Sequence, residues 1–250
     1  MNLTTLPRKA AQFIGSLLLI FVFYTLLRQA GLHNWTAHDA EGLAVLIQLV
    51  GDIYAVLLAF MIFVIWTQFT EVENCVVHEA DSLRELLRFS AFLNDDSRAA
   101  IRKAIFAYSQ KVLNYEWPEL GEGRRDNQTA EAFTRLQTAV VAAAPKTEVE
   151  ASLRDHLLET LRTASRARDE RVAKSLTRMP PTLSGLVKLI AAVLLVLIFV
   201  YPFNQALAGL VCVCVAALVL TAANFVMTDT DNPLRGVWNV KADPFSELPH

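Results

Sequence analysis

Residues that could carry chemistry in this 250-residue chain form a few short patterns, and most fail on spacing. His78-Glu79 opens like a zinc-protease helix motif, in which two histidines one turn apart share the metal. The second would fall at position 82, which is Ser82. His33, His38, His78, His156 and His250 have no cysteine or carboxylate at ligand spacing, so they read as surface histidines. Gly121-Glu122-Gly123 lacks the third glycine of a phosphate loop and follows no strand. No Gly-x-Ser-x-Gly elbow, kinase signature or Cys-x-x-Cys pair occurs. Cys212 and Cys214 point to different helix faces, and Cys75 stands apart. Asp229-Thr230-Asp231-Asn232-Pro233 could gather a cation through carboxylates and carbonyls, but reads first as a solvated, Pro-terminated helix end. No catalytic residue, metal site or cofactor is assigned, and an enzyme is not expected.

The elements that hold these residues are mostly apolar. Hydrophobic residues make up 54% of the chain and charged residues 19%, against roughly 45–50% and about 25% in soluble domains. Residues 67–182 hold 17 Lys+Arg and 18 Asp+Glu, so a charged segment lies between apolar blocks. The net charge of −2 gives no basic footprint for nucleic acid.

Crossing a bilayer takes roughly 20 mostly apolar residues, and four stretches qualify: about 10–27, 43–66, 183–201 and 206–227. The first has a basic start like a signal peptide. No small-x-small cleavage site follows it and its core is long, so it reads as an uncleaved span. Arg8 and Lys9, the basic middle segment, and Arg235 and Lys241 put both termini and the middle on the cytoplasmic side of a bacterial inner membrane. The organisation is then an N-terminal membrane pair (1–66), a cytoplasmic module (67–182), a C-terminal membrane pair (183–227) and a cytoplasmic tail (228–250).

Asp52 lies about 13 Å into span two, near mid-membrane. Intramembrane acids face a water-filled path or a bundle interior. Gln48, Asp52, Ala55, Ala59, Phe63 and Trp66 share its face. That order of polar, small and aromatic residues suits a pore with a narrow neck, and also a helix-packing face. Lys188 is too shallow to neutralise Asp52 and snorkels. Ala208, Cys212 and Ala216 form a small-residue stripe for close contact on span four.

No breaker follows Trp66 until Asn94-Asp95-Asp96-Ser97, so span two should run on as one helix to about Phe92. Asp96 or Ser97 then caps a second helix to about Tyr115. A third covers about 130–143 and a fourth about 147–178, which Pro180-Pro181 ends. The class is all-α: four transmembrane helices with an insertion of about four cytoplasmic helices between spans two and three.

Phe69, Val72, Val76, Leu83, Leu86 and Leu93 form a buried seam that includes Glu79. Leu153, Leu157, Leu161 and Ala164 form its counterpart, continued by Arg168 and Arg171. Glu79 lies ~20 Å below the membrane and Arg168 ~22 Å, so an ion pair of Glu79 with Arg168 or Arg171 is expected to fix the register. The alternative turns Glu79 out to solvent.

A family resemblance rests on particular stretches. They are Tyr54-Ala55-Val56-Leu57-Leu58-Ala59-Phe60, Trp66-Thr67-Gln68, His78-Glu79-Ala80, Ala107-Tyr108, Tyr115-Glu116-Trp117-Pro118, the arginine-rich approach to Pro180-Pro181, and Asp231-Asn232-Pro233-Leu234-Arg235-Gly236. In this order they resemble the bestrophin-like domain family of bacterial membrane proteins, over most of residues 43–240. The resemblance implies a homo-oligomer, by likeness to bestrophins a pentamer, conducting anions such as chloride. It implies a second span around the pore, a neck among Phe60, Phe63 and Val64, and an acidic tail able to bind calcium. The Phe-Gly pair of bestrophin tails is replaced here by Leu234-Arg235-Gly236. Membrane lipid is the expected surrounding. The alternative function is a non-conducting scaffold or signalling protein whose cytoplasmic module binds a protein partner.

Overall fold

The computed structural model describes residues 36–143 and 147–248, with Val22, Thr25, Leu26 and Gln29 besides. The span expected over 10–27 lies outside them apart from Val22, Thr25 and Leu26. Every regular element among the described residues is helical: α1 (Ala40–Ser90), α2 (Asp95–Lys111), a π turn (Val112–Glu116), α3 (Trp117–Gly121), α4 (Asn127–Val141), α5 (Glu148–Leu176), α6 (Pro181–Val200), α7 (Ala206–Thr230) and α8 (Asp243–Ser246). Helical stretches within Ala40–Ser90, Glu148–Val200 and Ala206–Thr230 are long and apolar enough to cross a membrane.

α1 is 51 residues long because no proline interrupts it, which makes it ~77 Å from end to end. It ends in i→i−3 bonds from Ala91, Phe92 and Leu93. Asn94 then takes an extended ψ of 156° and accepts the Ser97 amide at 2.9 Å, capping α2. The cap is therefore Asn94 rather than Asp96 or Ser97. A capping side chain must sit just outside the first turn, and Asp95 and Asp96 are already inside it, where their charge favours the helix N-terminus. Thr147 caps α5 by accepting the Glu150 amide.

The chain divides into two compact units, residues 1–62 with 179–227, and 63–178 with 228–250. In the first, α6 buries Val187, Ala191 and Leu194, and α7 buries Gly209, Val213, Ala217 and Leu220. The buried face of α7 is thus one residue on from Ala208 and Cys212, which are exposed, and Ala216, which is half-buried. Small size permits close approach but does not choose the face. Asn224 donates to Tyr54 Oη at 3.4 Å, joining α7 to α1.

The second unit holds a continuous core. Val72, Val76, Leu83 and Leu86 from α1, with Leu93 in the turn after it, meet Leu157, Leu161 and Ala164 from α5, with Ile101, Ile105, Phe133 and Leu136 from α2 and α4. Residues 228–248 belong to this unit, and their Leu234, Val240, Phe245 and Leu248 are buried in its core. The backbone closes a loop here: Val240 N–H donates to Pro233 O at 2.7 Å, and Val237 N–H to Asp229 Oδ2 at 2.8 Å. Gly236 turns the loop with φ of 116°, where a Cβ would stand 2.6 Å from Asp229 O. We expect Gly236→Ala to lower stability by about 2 kcal/mol or more, from strain plus a clash with backbone that cannot yield. Thermal unfolding followed by circular dichroism in detergent measures it, and an unchanged Tm would contradict this account of the turn.

Candidate functional site

Two groups of residues stand out, one along α1 and one inside the second unit. On α1, Gln48, Asp52, Ala55, Ala59, Phe60 and Phe63 are exposed and Val64 is half-buried, while the opposite flank buries Tyr54, Met61 and Ile65. A carboxylate, an amide and two phenylalanines therefore project from an apolar stretch away from the chain's own core. Within 40–66 the only charged residues are Glu41 and Asp52, so no cation in that stretch answers Asp52.

In the second unit three buried charges gather with the half-buried Arg168. Arg171 on α5 donates from Nε to Glu79 Oε2 at 2.7 Å, and from Nη2 to Glu79 Oε1 at 3.4 Å and to Glu116 Oε2 at 2.6 Å. Arg168, one turn away, donates to Glu116 Oε1 at 2.7 Å. The Tyr108 hydroxyl on α2 donates to Glu79 Oε1. Glu79 and Arg171 are 0% exposed and Glu116 1%, so the two carboxylates and two guanidinium groups compensate one another out of water. Of the two arginines on this face, Arg171 meets Glu79 and Arg168 meets Glu116. The Arg171 guanidinium also lies 5.9 Å from the Trp117 ring centre and 5.5 Å from that of Phe245, so the tail closes over it.

Glu116 reaches this cluster through the π turn. Pro118 has no N–H for the Asn114 carbonyl and its ring would crowd that oxygen, so the helix widens and Trp117 N–H bonds Val112 O instead. The sequence reading missed Glu116 and Tyr108 as members. A signal existed: Ile101, Ile105, Tyr108, Val112 and Glu116 step by three or four along one buried face.

Burial works against the charge of Arg171, but Glu79 and Glu116 outweigh it and hold its pKa well above the ordinary value. Burial, and then the Glu79 charge, push the Tyr108 pKa well above its ordinary 10.0. A tyrosine whose folded pKa is raised contributes stability that is complete below pH 10 and is lost as pH rises above it. We expect Tm to fall from about pH 10 upward, and less steeply in Tyr108→Phe. At neutral pH that variant loses the hydroxyl donated to Glu79 and about 1–3 kcal/mol. Parallel melting curves from pH 7 to 11 would refute this by showing equal slopes.

The cluster's polar groups bond chiefly to one another, and Arg168 Nε and Arg171 Nη1 are left buried without a hydrogen-bond partner. A cavity of about 510 Å³ between α2 and α4 is lined by alanines with Lys103, Lys111, Gln128, Glu131 and Arg135, and its lining includes no histidine, cysteine, serine or threonine. Among the described residues no three His, Cys, Asp or Glu gather as a metal site. In the acidic tail segment, Asp229 holds the Val237 amide, and Asn232 donates to Gly121 O at 2.8 Å.

Apolar spanning-length helices and an all-helical charged unit define a membrane protein of helical architecture. The Bestrophin-like domain model matches residues 14–245, and the chain belongs to that family. The fold is also that of a bacterial bestrophin homolog from Klebsiella pneumoniae, in crystal structures of three point variants. Each superposes with a TM-score of 0.68 at 9–10% identity, over 92% of this chain and 94–96% of the other. No curated protein matches the chain.

Proposed function

We propose that this chain is the subunit of an oligomeric ion channel in the bacterial inner membrane, with α1 around the conducting axis. The chain would cross four times, with both termini and the 67–182 insertion in the cytoplasm. The observation that carries the reading is the exposed face of α1, where Gln48, Asp52 and Phe63 turn away from the chain's own core within an apolar stretch. An intramembrane carboxylate is costly against lipid, so that face needs water or other copies of the chain. Several copies around an axis provide both, because one bundle of four helices packs solid. Phe60, Phe63 and Val64 would form the neck.

Family likeness points to anions, chloride among them, and to five copies. Asp52 would then ring the pore with carboxylates, a barrier to anions unless cationic groups face them. The decisive test is the mass of the particle in nanodiscs together with halide flux from liposomes. A ring of copies that passes halide is expected. A monomer, or sealed liposomes, would overturn the reading and leave the non-conducting scaffold.

A further inference from the structure

The loop that closes over residues 233–240 exposes what a soluble surface would hide. Val237 is 82% and Trp238 61% exposed, although Leu234 and Val240 on either side are buried. The turn is built to hold them out. The Gly236 φ of 116°, the Asp229 carboxylate on the Val237 amide, the Val240–Pro233 bond and the Asn239 amide on Gly236 O at 3.1 Å leave the tip no route inward. The Trp238 ring stands edge-on to Trp66, with centres 5.8 Å apart. Trp66 is itself 54% exposed and closes the apolar stretch of α1. Arg235 and Lys241 flank the tip and are both exposed, while Asp229, the nearest acid with a contact to the tip, is turned into the loop.

Large exposed apolar side chains on a rigid loop mark a contact surface. Tryptophan beside arginine and lysine, at the point where an apolar helix ends, is the composition of the headgroup zone of a bilayer. We propose that residues 235–241 form a lipid anchor, with Val237 and Trp238 seated in the interfacial region and Arg235 and Lys241 on the phosphates of anionic phospholipid. It would tie the tail, and through Phe245 the cover over Arg171, to the membrane surface. The inference needs no conduction, and it sets Trp66, at the end of the face that carries Gln48 and Asp52, beside lipid headgroups, so a pore lined by that face would have to end above Trp66.

The test uses the full chain in liposomes of phosphatidylcholine, with or without phosphatidylglycerol, whose acyl chains are brominated near the headgroup. Tryptophan emission of the wild type minus that of Trp238→Phe isolates Trp238. That difference should be quenched about two-fold in anionic brominated vesicles, less at high salt. Arg235→Gln/Lys241→Gln, both on the surface, should keep the elution profile and lose most of the anionic enhancement. Emission that bromine leaves unquenched in every vesicle would overturn the anchor. So would efficient disulfide cross-linking between copies of Trp238→Cys, which would place a second chain on the patch.

Discussion

Arg171→Ala should leave little folded protein. The substitution strands Glu79 and half of Glu116 as buried carboxylates, and breaking a buried pair by removing one partner costs about 3–5 kcal/mol. Domains are stable by only about 5–15 kcal/mol in total, so a loss of this size is a large share. The same deletion removes the guanidinium that Trp117 and Phe245 cover, loosening the tail as well. Glu79→Gln should cost less, since the amide oxygen still accepts from Arg171 and Glu116 still balances its charge. Glu79→Met/Arg171→Met removes both partners in similar volume and should recover much of the loss, with Glu116 left to Arg168. Yield of monodisperse protein on size exclusion and the Tm of each variant measure this series. An Arg171→Ala protein that melts with the wild type would show that the cluster contributes nothing.

Phe63→Ala should raise ion flux by about ten-fold or more if the α1 face lines a pore, because a ring of phenylalanines excludes water and ions together. Opening that constriction changes no buried contact, since the side chain is exposed in the single chain, so assembly and Tm should hold. Asp52→Asn supplies the charge test. Losing an intramembrane carboxylate should raise chloride flux relative to sodium wherever ions pass that ring. Counterflow in liposomes at matched protein content reads both. Unchanged flux in both variants, in a preparation that conducts, would remove α1 from the pore lining.

Helix length, apolar spans and buried seams followed from the sequence because each depends on local composition and a 3.6-residue period. α1 runs unbroken from 40 to 90 because proline is absent, and Glu79 is buried because Cys75, Val76 and Leu83, one turn to either side, are apolar. The all-helical class was legible for the same reason, while the family likeness rested on particular stretches such as Tyr115-Glu116-Trp117-Pro118. Partner choice was not. Arg168 and Arg171 lie one turn apart on a single face, so spacing and depth admitted either for Glu79. Tertiary structure decided between them by bringing in Glu116, which needs the π turn ahead of Pro118, and the Tyr108 hydroxyl from α2. The contact face of α7 was likewise settled by which neighbours it met, and small side chains on two faces left that open. What must be buried is written in one-dimensional pattern. Which charge answers which depends on where several helices cross, and no single stretch of chain encodes that.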